Sequence, residues 1–228
     1  MAPALALIAL LWWGYDTIRR DKECELELRT KQGAATEFCI SRQYLASFDR
    51  PYGYKLVAID LIVYLPGLLP KWDAEKAGYQ MFVVNSRGLK LPADNEVVIK
   101  LSPSSSGGVE REFHDLIDKR GVRFDGIRDN AFEVYTITKE NASGTFLPNP
   151  DRGEYLRPLG RDDAFIQCTN LQMAPADTRC SIHTQFSSKL ALLITFTRSR
   201  LADWASMEAK VKKLVASFIV ANGQPQSR

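Results

Sequence analysis

Ala164-Phe-Ile-Gln-Cys-Thr-Asn-Leu-Gln-Met-Ala-Pro-Ala-Asp-Thr-Arg-Cys-Ser-Ile-His-Thr-Gln185, followed by Leu190-Ala-Leu-Leu-Ile-Thr-Phe-Thr197, decides how this chain folds. Residues 165–170 and 178–185 have strand composition and flank a reversal, and reflection about Ala174 sets Cys168 across from Cys180. A bridge closing so short a loop contributes about 3 kcal/mol by restricting the unfolded chain. Leu190, Leu192, Ile194 and Phe196 then alternate with Ala191, Leu193, Thr195 and Thr197, the period of a strand buried on at least one face. Leu201, Trp204, Met207, Val211, Leu214, Val215 and Phe218 follow at helical spacing. Ser199 is the expected N-cap, Asp203 falls in the first turn, and Lys210, Lys212 and Lys213 stand toward the end, as the helix dipole favours. The stripe is core packing, so this last third is a stapled hairpin, a strand and a covering helix.

A second cysteine pair repeats the pattern near the start. Cys24, Leu26 and Leu28 alternate with Glu23, Glu25, Glu27 and Arg29, residues 31–34 supply a turn, and residues 36–40 return. Folding that hairpin about Lys31 and Gln32 sets Cys24 almost opposite Cys39, within the separation a disulfide tolerates. Two hairpin-compatible pairs, Cys24 with Cys39 and Cys168 with Cys180, and no cysteine left over argue for an oxidising compartment. Neither pair has the two-to-four-residue gap of a zinc knuckle.

Between these units the pattern is mostly strand. Val57, Ile59, Leu61 and Val63 alternate with Leu56, Ala58, Asp60 and Ile62, both faces mostly apolar, which predicts a central strand. Asp60 is read as a paired carboxylate at a strand end. Pro66-Gly67 and Pro70 open a loop, and residues 79–84 and 96–101 are two further strands of a meander. Residues 102–108, Ser-Pro-Ser-Ser-Ser-Gly-Gly, mark a loop tip or a subdomain break, and lack the Gly-Lys-Ser/Thr of a phosphate loop. Val109, Phe113, Leu116 and Ile117 predict a helix over residues 109–120, capped by Gly121. Residues 131–138 are one more strand. Residues 141–163, rich in Gly, Pro, Arg and Asp, read as a long irregular connection, where binding surfaces concentrate. Arg152, Glu154, Tyr155, Arg157, Arg161, Asp162 and Asp163 are the candidate partner-binding residues, offering paired charges and an aromatic anchor.

The fold class is therefore α+β: an antiparallel sheet or pair of sheets, a mid-chain helix, a C-terminal helix packed on the sheet, and two hairpin disulfides. One domain spans residues 21–222, with a polar tail at 223–228. Residues 4–13 are continuously apolar and form the core of an N-terminal segment, 1–20. As a helix its uncharged stretch reaches roughly 23 Å, short of a hydrocarbon core. It fits a signal-peptide core, a short anchor or a buried helix. Trp12, Trp13 and Tyr15 suit a membrane interface, and no small-x-small cleavage site precedes Arg19 and Arg20, which favours an uncleaved inner-membrane anchor over a removed signal. The positive-inside rule opposes that orientation, since Arg19, Arg20 and Lys22 follow the segment.

Composition excludes several classes. Apolar content of 45% and charged content of 25% are those of a globular chain. Thirty Lys and Arg against 27 Asp and Glu leave a net charge of +3, no electrostatic footprint for nucleic acid. No nucleophile elbow, zincin helix, Walker loop or dinucleotide fingerprint is present, and the two histidines, His114 and His183, have no ligand-spaced company. The expectation is a protein that is not an enzyme and needs no cofactor or metal.

Cys180-Ser-Ile, the strand 190–197, and Arg198-Ser-Arg-Leu201-Ala-Asp-Trp204 leading to Val211-Lys-Lys-Leu214-Val-Ala-Ser-Phe218 resemble the C-terminal pattern of bacterial envelope proteins from type VI secretion clusters. Among these are immunity proteins that neutralise phospholipase-type effectors. The resemblance covers roughly the last 60 residues. It implies an anchored periplasmic protein that blocks a cognate toxin by binding it, and it transfers no functional residue. The alternative is a structural accessory of an envelope machine, or a lipid-facing binding module.

Overall fold

The computed structural model describes residues 22–29, 35–46, 55–56, 58–84, 88, 90–118, 121–140, 146–148, 153–169, 171 and 178–220. The N-terminal segment 1–20, residues 31–34 and 172–177, Arg152 and the tail lie outside them.

In chain order the first half comprises strands β1 (Lys22–Arg29), β2 (Ala35–Ser41), β3 (Lys55–Leu56) and β4 (Ile59–Tyr64), helix α1 (Lys71–Lys76), strands β5 (Phe82–Val84), β6 (Lys90–Pro92) and β7 (Glu96–Pro103), and helix α2 (Gly108–Ile117). The second half comprises β8 (Val122–Arg128), β9 (Phe132–Glu140), β10 (Phe146–Pro148), β11 (Glu154–Pro158), β12 (Ala164–Cys168), β13 (Arg179–Ser187), β14 (Leu190–Thr197) and the C-terminal helix α3 (Trp204–Ala216).

Nine strands form one antiparallel sheet in the order β10-β9-β11-β12-β13-β14-β7-β4, with β8 also pairing to β9. β1, β2 and β3 make a separate three-stranded sheet, and β5 with β6 a two-stranded one. Period-two alternation assigns the faces of the large sheet. Leu61, Val63, Val97, Ile99, Leu101, Leu192, Ile194, Phe196, Ile182, Ile166, Leu156 and Val134 point to one side, all buried. Leu28, Phe38 and Ile40 of the hairpin and Met207, Val211, Val215 and Phe218 of the C-terminal segment belong to the same core. Each fully buried large side chain stabilises by roughly 1.5–3 kcal/mol, so this face carries most of the stability. On the other face Phe165 and Tyr155 pack with Val109 and Phe113 of α2.

The reading of residues 164–218 holds in outline. β12, β13 and β14 run in register as a meander, and Cys168 stands opposite Cys180. The two sulfurs are joined and both residues are fully buried. Cys24 and Cys39 are register partners in β1 and β2, but the side chain of Cys24 lies outside the described residues. One disulfide is therefore described, where two were expected.

Several expectations need correction. β4 is the last strand of its sheet, not a central one. Its outer edge is covered: Leu45 bridges to Leu61, and the Ala46 N–H donates to the Asp60 carbonyl at 2.9 Å. Asp60 stands opposite Lys100 in register. Residues 71–76 form a short helix where a loop was expected, and α2 ends at Ile117, with Asp118 and not Gly121 as its C-cap. Residues 122–128, unassigned from the sequence, form β8. Residues 198–203 are a 3-10 turn, and α3 begins at Trp204. Ser199 caps nothing; its hydroxyl donates to the Asp94 carboxylate. Most consequentially, the segment read as an irregular connection contains β10 and β11, and β11 lies inside the large sheet between β9 and β12.

Candidate interaction surface

The predicted partner-binding residues divide into those the sheet buries and those it leaves at the surface. Glu154 opens β11 with a side chain only 4% exposed. Burying a carboxylate is costly unless counter-charges meet it. Arg128 supplies them, donating from Nη1 to Oε1 at 2.9 Å and from Nη2 to Oε2 at 2.6 Å, and Arg198 adds a bond to Oε1 at 3.3 Å. The next residue, Tyr155, is buried against Phe165, with ring centroids 6.2 Å apart. Neither Glu154 nor Tyr155 presents itself to a partner in this conformation.

Arg161 is the centre of a second network. Its guanidinium donates to Glu208 Oε2 at 2.6 Å and Oε1 at 3.0 Å, and to both oxygens of Asp163 at 2.8 and 2.9 Å. Lys212 reaches Glu208 at 2.9 Å and Asp163 at 3.7 Å, and the Thr184 hydroxyl also donates to Glu208. Burial by itself pushes the Glu208 carboxyl up, yet the bonds from Arg161, Thr184 and Lys212 outweigh it and hold the pKa at about 2. Hydrogen bonds from Arg161 hold Asp163 below the usual carboxylate range. The Arg161 guanidinium also lies 5.3 Å from the Trp204 ring centroid. The loop after β11 is thus clamped to the C-terminal helix by its own charges.

Of the other predicted residues, Arg152 lies outside the described ones and Arg157 is half-buried. Arg157 pairs with Asp162, approaches Glu133 at 3.8 Å, and lies over the Phe113 ring at 5.4 Å. Asp162 and Asp163 are exposed.

Beside them stands a feature that sequence reasoning missed. Phe124 and Ile127 on β8 and Leu159 after β11 are exposed by 54%, 60% and 41%. Register sets Phe124 opposite Tyr135 and Ile127 opposite Glu133, and Arg157 also opposite Glu133, so these residues share the face that α2 partly covers. The Phe124 ring lies 5.3 Å from Tyr135, Tyr135 5.2 Å from Phe113, and Phe113 5.3 Å from Phe165, which stacks on His183 at 4.2 Å. A chain of ring contacts therefore runs from the exposed edge into the core. The alternation in Val122-Arg-Phe-Asp was the available signal, but a bulge at Asp125, between Phe124 and Gly126, interrupts it.

Both histidines stand beside carboxylates of α2. His183 Nδ1 is 3.2 Å from Glu112, and His114 lies on the α2 surface 3.9 Å from Glu110. No group of three or more metal-ligating side chains occurs among the described residues. The surface offers Phe124 and Ile127 exposed on β8, Tyr135, Glu133 and Arg157 in the strands beside them, and Leu159 exposed after β11, the mixture of apolar and charged groups found in protein-binding patches.

No protein-family model and no curated protein matches this chain. Among solved structures the chain is similar to Smlt3025, an immunity protein of the Stenotrophomonas maltophilia type IV secretion system, with 16% identity and a TM-score of 0.57. The match covers 88% of this chain and 95% of that one, so the likeness spans nearly the whole of both molecules and is one of fold.

Proposed function

We propose that this chain is an immunity-type protein of the bacterial periplasm that neutralises a cognate secretion-system toxin by binding it directly, without catalysis. The near full-length fold likeness to a secretion-system immunity protein carries the reading. The buried Cys168–Cys180 bridge supports an oxidising compartment. The proposed inner-membrane anchor is the apolar segment of residues 1–20, read from the sequence; among the described residues no helix is long and apolar enough to cross a membrane. The C-terminal pattern resembles type VI cluster proteins and the similar structure comes from a type IV system, so effectors of both routes belong in the test.

The experiment is periplasmic co-expression of this chain with the product of its neighbouring gene, followed by affinity co-purification. Restored growth and a stable stoichiometric complex are expected. Continued toxicity with no complex, while the chain associates with membrane machinery, would sink the immunity reading and favour an envelope accessory.

A further inference from the structure

We propose that two copies of this protein associate through β8, paired antiparallel about a two-fold axis at Phe124. β8 is hydrogen-bonded to β9 along one edge, and among the described residues no strand pairs with the other. Such an edge offers a row of backbone donors and acceptors to another strand, and proteins usually blunt it with charge or cover it. Here Arg123, Phe124, Asp125 and Ile127 are all exposed.

The charges on this strand specify the occupant. In an antiparallel self-pairing about Phe124, Arg123 of one copy falls opposite Asp125 of the other, and the reciprocal pair forms by symmetry. Arg123 and Asp125 already meet at 2.8 Å within one chain. The four groups then form a ring in which every neighbour has the opposite sign. Moving the axis one residue either way sets Arg123 against the second copy's Arg123, or Asp125 against the second copy's Asp125, and like charges directly opposite repel. Charge therefore selects one register. On the other face the axis brings the two Phe124 rings together as a cross-strand pair. Each ring is already seated on Tyr135 at 5.3 Å, so little side-chain freedom is lost on association. Asp125 is the extra residue of a bulge on the β9 side, yet its carboxylate stays beside Arg123, and Gly126 at φ 111° turns the strand beyond it, so the self-pairing segment is confined to a few residues around Phe124. The paired segment is short, and the dimer is accordingly weak and concentration-dependent. This inference stands apart from toxin binding and does not rest on it.

Sedimentation velocity of the purified chain over a range of concentrations tests it, using wild type, Arg123→Asp, Asp125→Arg, the double charge swap, and an equimolar mixture of the two single variants. Wild type should pass from monomer to dimer. Each single substitution places like charges opposite at two symmetric positions and should raise the dimer Kd about tenfold. The double swap should restore self-association, and the mixed singles should form a heterodimer. Both side chains are exposed, so thermal melts should stay unchanged. A wild-type monomer at every concentration would overturn the proposal, as would single variants that dimerise like wild type. If β8 instead accepts a strand of a toxin, the wild type alone stays monomeric and the substitutions weaken only the toxin complex, which also overturns it.

Discussion

Arg161 and Glu208 are 47 residues apart in the chain and meet through two hydrogen bonds, of 2.6 and 3.0 Å, that join the loop after β11 to helix α3. The Glu208 side chain is 5% exposed and that of Arg161 31%, so the pair is largely withdrawn from water on the carboxylate side. Removing one member leaves a buried charge without its main partner, which costs more than the pair itself contributes. Arg161→Ala should lower stability by about 3 kcal/mol in urea unfolding, and Glu208→Gln by less, since its amide still accepts from Arg161 and Thr184. Equal, negligible losses for both would show that Lys212 alone neutralises Glu208.

The same carboxylate sets an acid limit. Its folded pKa is about 2, against an ordinary 4.5 when the chain is unfolded. The folded state thus binds fewer protons across that interval, and stability rises with pH there. The contribution is complete above about pH 4.5 and is lost as pH falls toward about 2. Thermal melts from pH 6 to pH 2 should show a decline that Glu208→Gln makes shallower. Parallel curves for the two proteins would contradict the assignment.

Gly153 precedes β11 at φ +85°, and a Cβ built there would lie 1.6 Å from the Cys168 carbonyl oxygen. No side chain can yield to relieve a collision with backbone. Gly153→Ala should destabilise by at least about 3 kcal/mol, adding a strained left-handed residue to the displacement of β12. Expression yield and melting temperature report it, and a variant melting within a few degrees of wild type would refute the packing described for that strand end.

The Cys168–Cys180 bridge spans 12 residues of sequence and is fully buried. Paired Ala substitution should cost about 3 kcal/mol. In the native protein the bridge should resist mild reductant until the sheet opens. Thiol labelling with and without urea distinguishes this from a surface bridge, which would reduce at once.

Where residues alternate apolar and polar with no interruption, the sequence displayed the fold. Strands at 164–168, 179–187 and 190–197, the reach of Cys168 to Cys180, and the stripe of α3 were all legible from neighbours two or four positions apart. β11 was not. Glu154 and Arg157 look like solvent-facing charges locally, and their counter-charges come from Arg128, Arg198, Glu133 and Asp162, mostly distant in sequence. A pattern read along the chain cannot supply a partner from across a sheet. Tyr155 was read as an aromatic anchor for a partner, and its burial against Phe165 in the adjacent strand was not visible along the chain. Arg157 is half-buried and Asp162 exposed, while the exposed Phe124 and Ile127 on β8 were hidden from a reading along the chain by a bulge that interrupts the alternation there.

The β1–β2 hairpin is closed by residues much further along the chain, 218–220. The Phe218 carbonyl accepts from the Cys39 N–H at 2.7 Å, the Val220 N–H donates to the Glu37 carbonyl at 3.1 Å, and Ile219 bridges to Phe38. β7, likewise, has β14 as its partner on one side. A chain leaving the ribosome or a translocation channel N-terminus first therefore carries unfinished strand edges until residue 220 is free. Folding depends on contacts distant in sequence, and such chains are slow and exposed to aggregation and proteolysis while incomplete. Synthesis halted before residues 218–220 leaves the β2 backbone at Glu37, Phe38 and Cys39 without these partners, so the hairpin's resistance to proteases arrives only with that segment.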